Sequence, residues 1–330
     1  MVRPLTARAR AICSASLAPW LAASAAWLPP PARAELPANE LGRIMILEYH
    51  QIGEPEARWT RTPANLRRDL ERLWARGYRL VSLTELLDGI VTLPRGTSPV
   101  VLTFDDSSPG QFRYLESNGQ LAIDPDSAVG ILEAFSRTHL EFGRHATFYV
   151  LPGAAQPHRL FGQPQHEERK LRHLVSRGFE LGNHTLWHAN LSKYPESTVQ
   201  RQLALAQQWI QRLVPGYRLR TLALPMGAYP RELAWAIRGS VDGATYQHEA
   251  ILMVAGGPTP SPFSRRFDPY RLPRIQALEN EISRWLRYFA EHPEERFVSD
   301  GDPSTLTVPK AQRGALRELR AGVLRVIERD

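Results

Sequence analysis

The chain has almost no thiol chemistry to offer, with one cysteine, Cys13, in 330 residues. A single thiol cannot pair within the chain, so a disulfide scaffold is excluded. No period recurs along the sequence, which excludes a fibrous or collagen-like protein. Only one apolar stretch approaches spanning length, which excludes a polytopic membrane protein. Disorder is excluded as well, because 43% of the residues are hydrophobic against 23% charged. The length suits one large α/β domain or two small ones. What stands out is an excess of positive charge, +7 with a pI near 9.8. It is the one compositional feature that points toward nucleic acid or an anionic surface.

Much of that charge lies at the N-terminus. Arg3, Arg8 and Arg10 precede an uncharged stretch, Ala11 to Leu28, rich in Ala, Leu, Ile and Trp, and Pro29-Pro30-Pro31 and Ala32-Arg33-Ala34 follow it. This is the tripartite order of a secretory signal, with cleavage expected after Ala34. An uncleaved anchor is the other reading of the same stretch, but Pro19, three serines and the Ala-x-Ala site favour removal. Removing Arg3, Arg8, Arg10 and Arg33, with no acid among the first 34 residues, takes the net charge from +7 to +3. The mature chain would have no thiol and no membrane span, and its composition gives no case for nucleic acid. The expected location is the periplasm or exterior of a bacterium.

From Gly42 onward strand-like and helix-like segments alternate. Strands are expected at Arg43–Tyr49, Arg79–Leu83, Pro99–Phe104, Ala146–Leu151, Phe179–Gly182, Thr221–Leu224 and Ala250–Ala255. Helices are expected from Thr62-Pro63 to Gly77, then over Thr84–Ile90, Ser127–Leu140, His166–Arg177, Glu196–Leu213, Pro230–Arg238, Glu279–Ala290 and Pro309–Arg329. Repeated β-then-α units predict an α/β fold, a (β/α) barrel of seven or eight strands, somewhat distorted. The expected organisation is a signal over 1–34, the barrel over 35–290, and a C-terminal turn and helix over 291–330 that pack on the barrel. Residues 107–127, with Asn118-Gly119 at their centre, read as a hairpin inserted after the third strand.

In such a fold the chemistry sits on the loops that follow the strands, and the polar residues comply. Tyr49-His50 follows the first strand, Asp105-Asp106 the third, His184 and His188 the fifth, and Pro225-Met226-Gly227 the sixth. Two carboxylates leaving one strand point to opposite sides unless the strand has ended, and one of them could simply cap a turn. Two histidines four apart reach one face of a helix or of a closing loop, and with a carboxylate they form a common ligand set for a divalent ion. Taken alone, the histidine pair could equally pack near the surface.

The order Tyr49-His50, Thr103-Phe104-Asp105-Asp106, Ala146–Val150, His184-Thr185-x-x-His188 and Pro225-Met226-Gly227 resembles the polysaccharide deacetylases of the NodB-homology type, carbohydrate esterase family 4. The likeness runs over residues 43 to 275. The first strand and the Arg271–Ile275 segment look closer to exopolysaccharide deacetylases than to chitin deacetylases. The resemblance implies a metal-dependent hydrolase that removes acetyl groups from an N-acetylated polysaccharide or oligosaccharide. It implies Asp105 as general base, and Asp106, His184 and His188 as ligands of one divalent ion, Zn²⁺ first, with Co²⁺ or Ni²⁺ as alternatives. It also implies the Met226 backbone N–H as oxyanion donor, with Pro225 and Met226 shaping the substrate loop.

Two features depart from the family pattern. An arginine that usually orients the catalytic aspartate is replaced by Ala223, and the late histidine that protonates the leaving amine is absent from Pro269–Gln276. His50 could supply that proton or touch substrate, with His248 as a second choice, and Tyr114 of the insertion could stack on a sugar. The remaining histidines are assigned to the surface. The expected function is therefore an exported carbohydrate N-deacetylase. The departures keep open a glycan-binding or scaffold protein on the same fold, and a hydrolase of another ester or amide.

Overall fold

The computed structural model describes residues 36–89, 92–319 and 324–330, so the expected leader over residues 1–34 lies outside the described residues. Eight parallel strands form the central sheet: β1 (Met45–Tyr49), β2 (Tyr78–Leu80), β3 (Ser98–Phe104), β4 (Thr147–Val150), β5 (Glu180–Asn183), β6 (Thr221–Ala223), β7 (Ala250–Leu252) and β8 (Ile275–Gln276). Their order is β7-β6-β5-β4-β3-β1-β8, with β2 on the lower half of β3. The sheet curls, and the segment around β8 spans its two edges. Leu272 bridges Leu252 at the end of β7, while Ile275 and Gln276 pair with Leu47 and Glu48 of β1.

The crossovers are helical: α1 (Pro63–Ala75), α2 (Leu83–Asp88), α3 (Ala128–Thr138), α4 (Glu167–Ser176), α5 (Glu196–Leu213), α6 (Leu233–Ile237) and, after β8, α7 (Glu279–Glu291). Their starts are written in the sequence. Thr62, Ser82 and Ser127 each accept a hydrogen bond from the backbone N–H three residues on, and Glu85 closes a capping box with Ser82. That box is why the second strand stops at Leu80 rather than Leu83. No helix among the described residues is long and apolar enough to cross a membrane.

Strand alternation sorts the side chains into two layers. Met45, Leu47, Tyr49, Leu102, Phe104 and Phe148 pack outward in one cluster with Leu66 and Leu70 of α1 and Ile131 and Leu132 of α3. Ile46, Val101, Tyr149, Ala223 and Leu252 belong to a second cluster inside the curl. Gly182 makes room there, since a Cβ would sit 2.3 Å from the Tyr149 ring. Ile46, Glu48 and His50 share one face of their strand by period, as do Val101, Thr103 and Asp105 of theirs. Both columns therefore turn from apolar to polar toward the strands' C-terminal ends.

The expected helices over Pro230–Arg238 and Pro309–Arg329 are corrected. The first shrinks to α6, because Arg238–Val241 and Ala244–Gln247 form a hairpin around Asp242-Gly243, both at positive φ. In the second, Thr305–Pro309 pairs in parallel with Arg325–Arg329, with a 3₁₀ stretch at Lys310–Ala315 between them. The β-branched Thr305, Thr307 and Val308 are buried in extended backbone. This region packs on the barrel through Leu306, Val308 and Leu316, but as strands.

Candidate active site

Sheet pairing continues one residue past β3, since Asp105 N–H donates to Tyr49 O at 2.9 Å. Asp106 and Ser107 then adopt φ of 77° and 47°, a left-handed turn that is costly for side-chain-bearing residues. The turn separates the two carboxylates: Asp105 is 1% exposed, and Asp106 is swung outward. After β5, His184 is equally buried, and Thr185 and His188 take φ of 68° and 66°. The histidine loop is not helical. Asn183 Oδ1 accepts from Thr185 N–H, Thr185 Oγ1 from Ala189 N–H, and Gln202 Oε1 from Leu186 and Trp187.

These two loops bring Asp106 Oδ1 within 3.2 Å of His184 Nε2 and 3.4 Å of His188 Nε2. A carbonyl can only accept, so His184 Nδ1 donates to Ala223 O at 2.9 Å, which leaves the lone pair of neutral His184 on Nε2. Asp106 Oδ1 and His184 Nε2 are both buried without a hydrogen-bond partner. Two facing acceptors repel unless a cation or a proton lies between them. A carboxylate and two imidazoles suit a divalent ion, and the residues present fit the implied metal. Without a metal the same need appears as protonation. Burial opposes charge on His184, but the Asp105 and Asp106 carboxylates outweigh it and raise its pKa. Burial likewise works against ionised Asp106, and the neighbouring imidazoles, His184 first, hold its carboxyl well below the usual range. His188 is lowered, by burial and by His184.

Beneath this cluster lies a second network that the sequence did not suggest. Arg274, fully buried, places Nη1 2.8 Å from Asp105 Oδ1 and Nη2 2.7 Å from Oδ2. Nη1 also donates to Thr103 Oγ1 at 3.1 Å, Nη2 to Glu48 Oε1 at 2.8 Å, and Nε to Met253 O at 2.7 Å. Every N–H of the guanidinium is thereby used. Burial acts to neutralise Asp105, but Arg274 outweighs it and keeps the pKa low. The arginine missing at Ala223 has a counterpart here, arriving from the β8 segment. An arginine inside the short apolar run Arg271-Leu272-Pro273-Arg274-Ile275 was the available signal.

The other expected residues divide. His50 reaches the site: its Nε2 lies 4.0 Å from Glu48 Oε1, its ring packs on Trp59, and its carbonyl accepts from Gln111 Nε2 at 2.7 Å. Met226, at φ 57° and 55% exposed, projects from the turn after β6, while Pro225 beside it is buried and shapes the turn rather than presenting a surface. His248 does not reach the site. It is buried between Ala236 O and Asn183 Nδ2, and burial lowers its pKa to about 4. Tyr114 is also withdrawn. The inserted hairpin forms as expected, Tyr114–Ser117 with Gln120–Ile123, but the Tyr114 ring is buried against Phe112 and His166 and cannot stack on a sugar.

Residues 93–239 match the family model described as polysaccharide deacetylase. That stretch is similar to a polysaccharide deacetylase domain. The matched stretch includes both aspartates, both histidines and the Met226 turn, but not Glu48, His50 or Arg274. Over 146 residues the chain is 27% identical to a chitooligosaccharide deacetylase of Sinorhizobium fredii, covering 43% of this chain and 55% of that protein. It thus spans about half the length of that curated relative. Among solved structures, the Streptococcus pyogenes deacetylase PplD in complex with acetate aligns with TM-score 0.56 at 19% identity, covering 74% of this chain and 97% of that one. IcaB from Ammonifex degensii aligns with TM-score 0.54 at 16% identity, covering 75% and 97%. At these identities the likeness carries the fold, a NodB-type barrel.

Proposed function

We propose that the protein is an exported, metal-dependent hydrolase that removes N-acetyl groups from an amino-sugar glycan. The observation that carries this reading is the pairing of two features at one mouth. Asp106, His184 and His188 converge with unopposed lone pairs, and Asp105 is held ionised beside them by Arg274. A divalent ion held by the three ligands, Zn²⁺ first, supplies Lewis acidity toward the attacking water and the acetyl carbonyl.

The chain's own residues do the rest. Asp105 accepts the proton of the attacking water at a carboxylate oxygen; it is free of the ligand set and so suited to act as base. The Met226 N–H faces the oxyanion, a role that survives replacement of the side chain. The leaving nitrogen needs a proton to depart as an amine, and His50, grouped with Asp105 at the mouth, is assigned to give it. The signal-like leader supports export.

Acetate release from N-acetylated oligosaccharides, measured together with metal content, tests the reading. Release that follows metal loading is expected. Tight glycan binding without acetate release, after Zn²⁺, Co²⁺ or Ni²⁺ has been supplied, would overturn it in favour of a scaffold.

A further inference from the structure

Glu48 is out of place by ordinary packing rules. It lies in β1, whose five residues are all buried, and its side chain is wholly shielded. Oε1 accepts from Arg274, but Oε2 is buried without a hydrogen-bond partner. Buried polar atoms normally find partners, and an apolar residue would fill this position at lower cost. Arg274 engages one oxygen and leaves the other able to carry a proton.

Strand period places Glu48 and His50 on one face, and Glu48 Oε1 stands 4.0 Å from His50 Nε2. Trp59 packs on the imidazole ring, with centroids 4.5 Å apart, and Gln111 fixes the His50 carbonyl. A small polar cleft lined by Glu48, His50, Arg58, Trp59, Thr60 and Arg61 opens beside the pair. The charged and titratable groups around the pair are Arg274, Asp105, Asp106 and His184, with Arg58 and Arg61 in the cleft wall. In free enzymes catalytic hydrogen bonds are often long and tighten when substrate binds.

We propose that Glu48 is a positioning residue for His50, holding the imidazole toward the leaving nitrogen and acting as the store from which it is re-protonated. A carboxylic acid and imidazole on the first strand thereby replace the absent late histidine. Burial bears on which partner holds a proton, since it pushes Glu48 up to about 8 and His50 down and so favours the carboxyl. The balance closes on one water. Its oxygen bonds to the acetyl carbon and its proton goes to Asp105. The C–N bond breaks as the nitrogen takes a proton from His50. His50 takes one from Glu48, and solvent restores Glu48 while Asp105 releases its own.

The inference rests on the deacetylase reading and is tested by leaving group. Wild type, Glu48→Gln, Glu48→Ala, His50→Ala and the double alanine variant are assayed, with metal content checked, on an N-acetylated chitooligosaccharide and on an aryl acetate. A phenolate departs without protonation; an amine does not. All variants are expected to lose about a hundredfold or more in kcat on the amide, with little change in KM and only a few-fold loss on the ester. The double variant should be no worse than His50→Ala. Equal losses on both substrates, or wild-type amide turnover by Glu48→Gln, would overturn the proposal, because Glu48 would then serve only Arg274. Wild type inactive on both substrates with metal supplied would instead overturn the deacetylase reading, and the proposal with it.

Discussion

Two constellations meet at the strands' C-terminal ends, and they are built in opposite ways. Asp106, His184 and His188 sit on loops, two of them at positive φ, and point acceptor atoms at one another. Glu48, Thr103, Asp105 and Arg274 sit on or beside straight strands, and every donor of the arginine is satisfied. The first is unfinished until something positive arrives. In the second, the arginine's donors are fully used as folded, and they fix Asp105, the proposed base, before any ligand binds. Strain and repulsion thus concentrate where a ligand can relieve them, and rigidity where a carboxylate must stay ionised.

The contrast should break most fully at His184. His184→Ala is expected to lose bound metal, by more than the roughly 10–100-fold seen for residues that only support a ligand, and to lose acetate release with it. Metal analysis after dialysis checks this. Asp105→Asn should keep the metal and lose about 10²–10⁴-fold in kcat; metal loss instead would mean that the two aspartates have exchanged roles. Arg274→Met leaves the buried Asp105 carboxylate without its cation and Glu48 without its donor, and should cost about 3–5 kcal/mol in urea unfolding, with the loop residues untouched.

A smaller effect comes from pH. In the metal-free protein Glu48 is raised from 4.5 to about 8 by burial. A raised acid contributes stability that is complete below its unfolded pKa and is lost as pH rises through its folded one. Glu48→Gln should therefore gain on wild type between pH 4.5 and 8, by up to a few kcal/mol on the order of the linkage relation, and hold that gain above pH 8. Parallel stability curves would show Glu48 ionised throughout. Smallest of all, Met226→Leu should change acetate release by no more than about twofold, because the exposed side chain is not what faces the oxyanion.

How much of this could be read from the sequence follows the range of the interactions. The caps at Thr62, Ser82 and Ser127 are local, and α5 is bounded as its pattern predicts, Glu196 to Leu213. The four residues at the centre of the site were legible because each follows an apolar strand. The Arg274 contact with Asp105 was not, because 169 residues separate the partners and only the curl of the sheet joins them. Glu48 was hidden inside a run that reads as core. Over 309–329 the amphipathic pattern reads as a helix, yet Arg325–Arg329 pairs at long range with Thr305–Pro309. Tyr114 and His248 failed as site residues because neighbours already bury them, which no local pattern reveals.

The segment that spans the edges of the sheet bears on how portable the domain is. Residues 93–239 are enough to recognise the family, yet Arg274 enters from one flank and Glu48 and His50 from the other. A fragment cut to the recognisable stretch would keep the proposed metal ligands and lose the arginine clamp on Asp105. Transplanting the proposed activity would require both flanks, so the smallest working unit is larger than the part that carries the likeness.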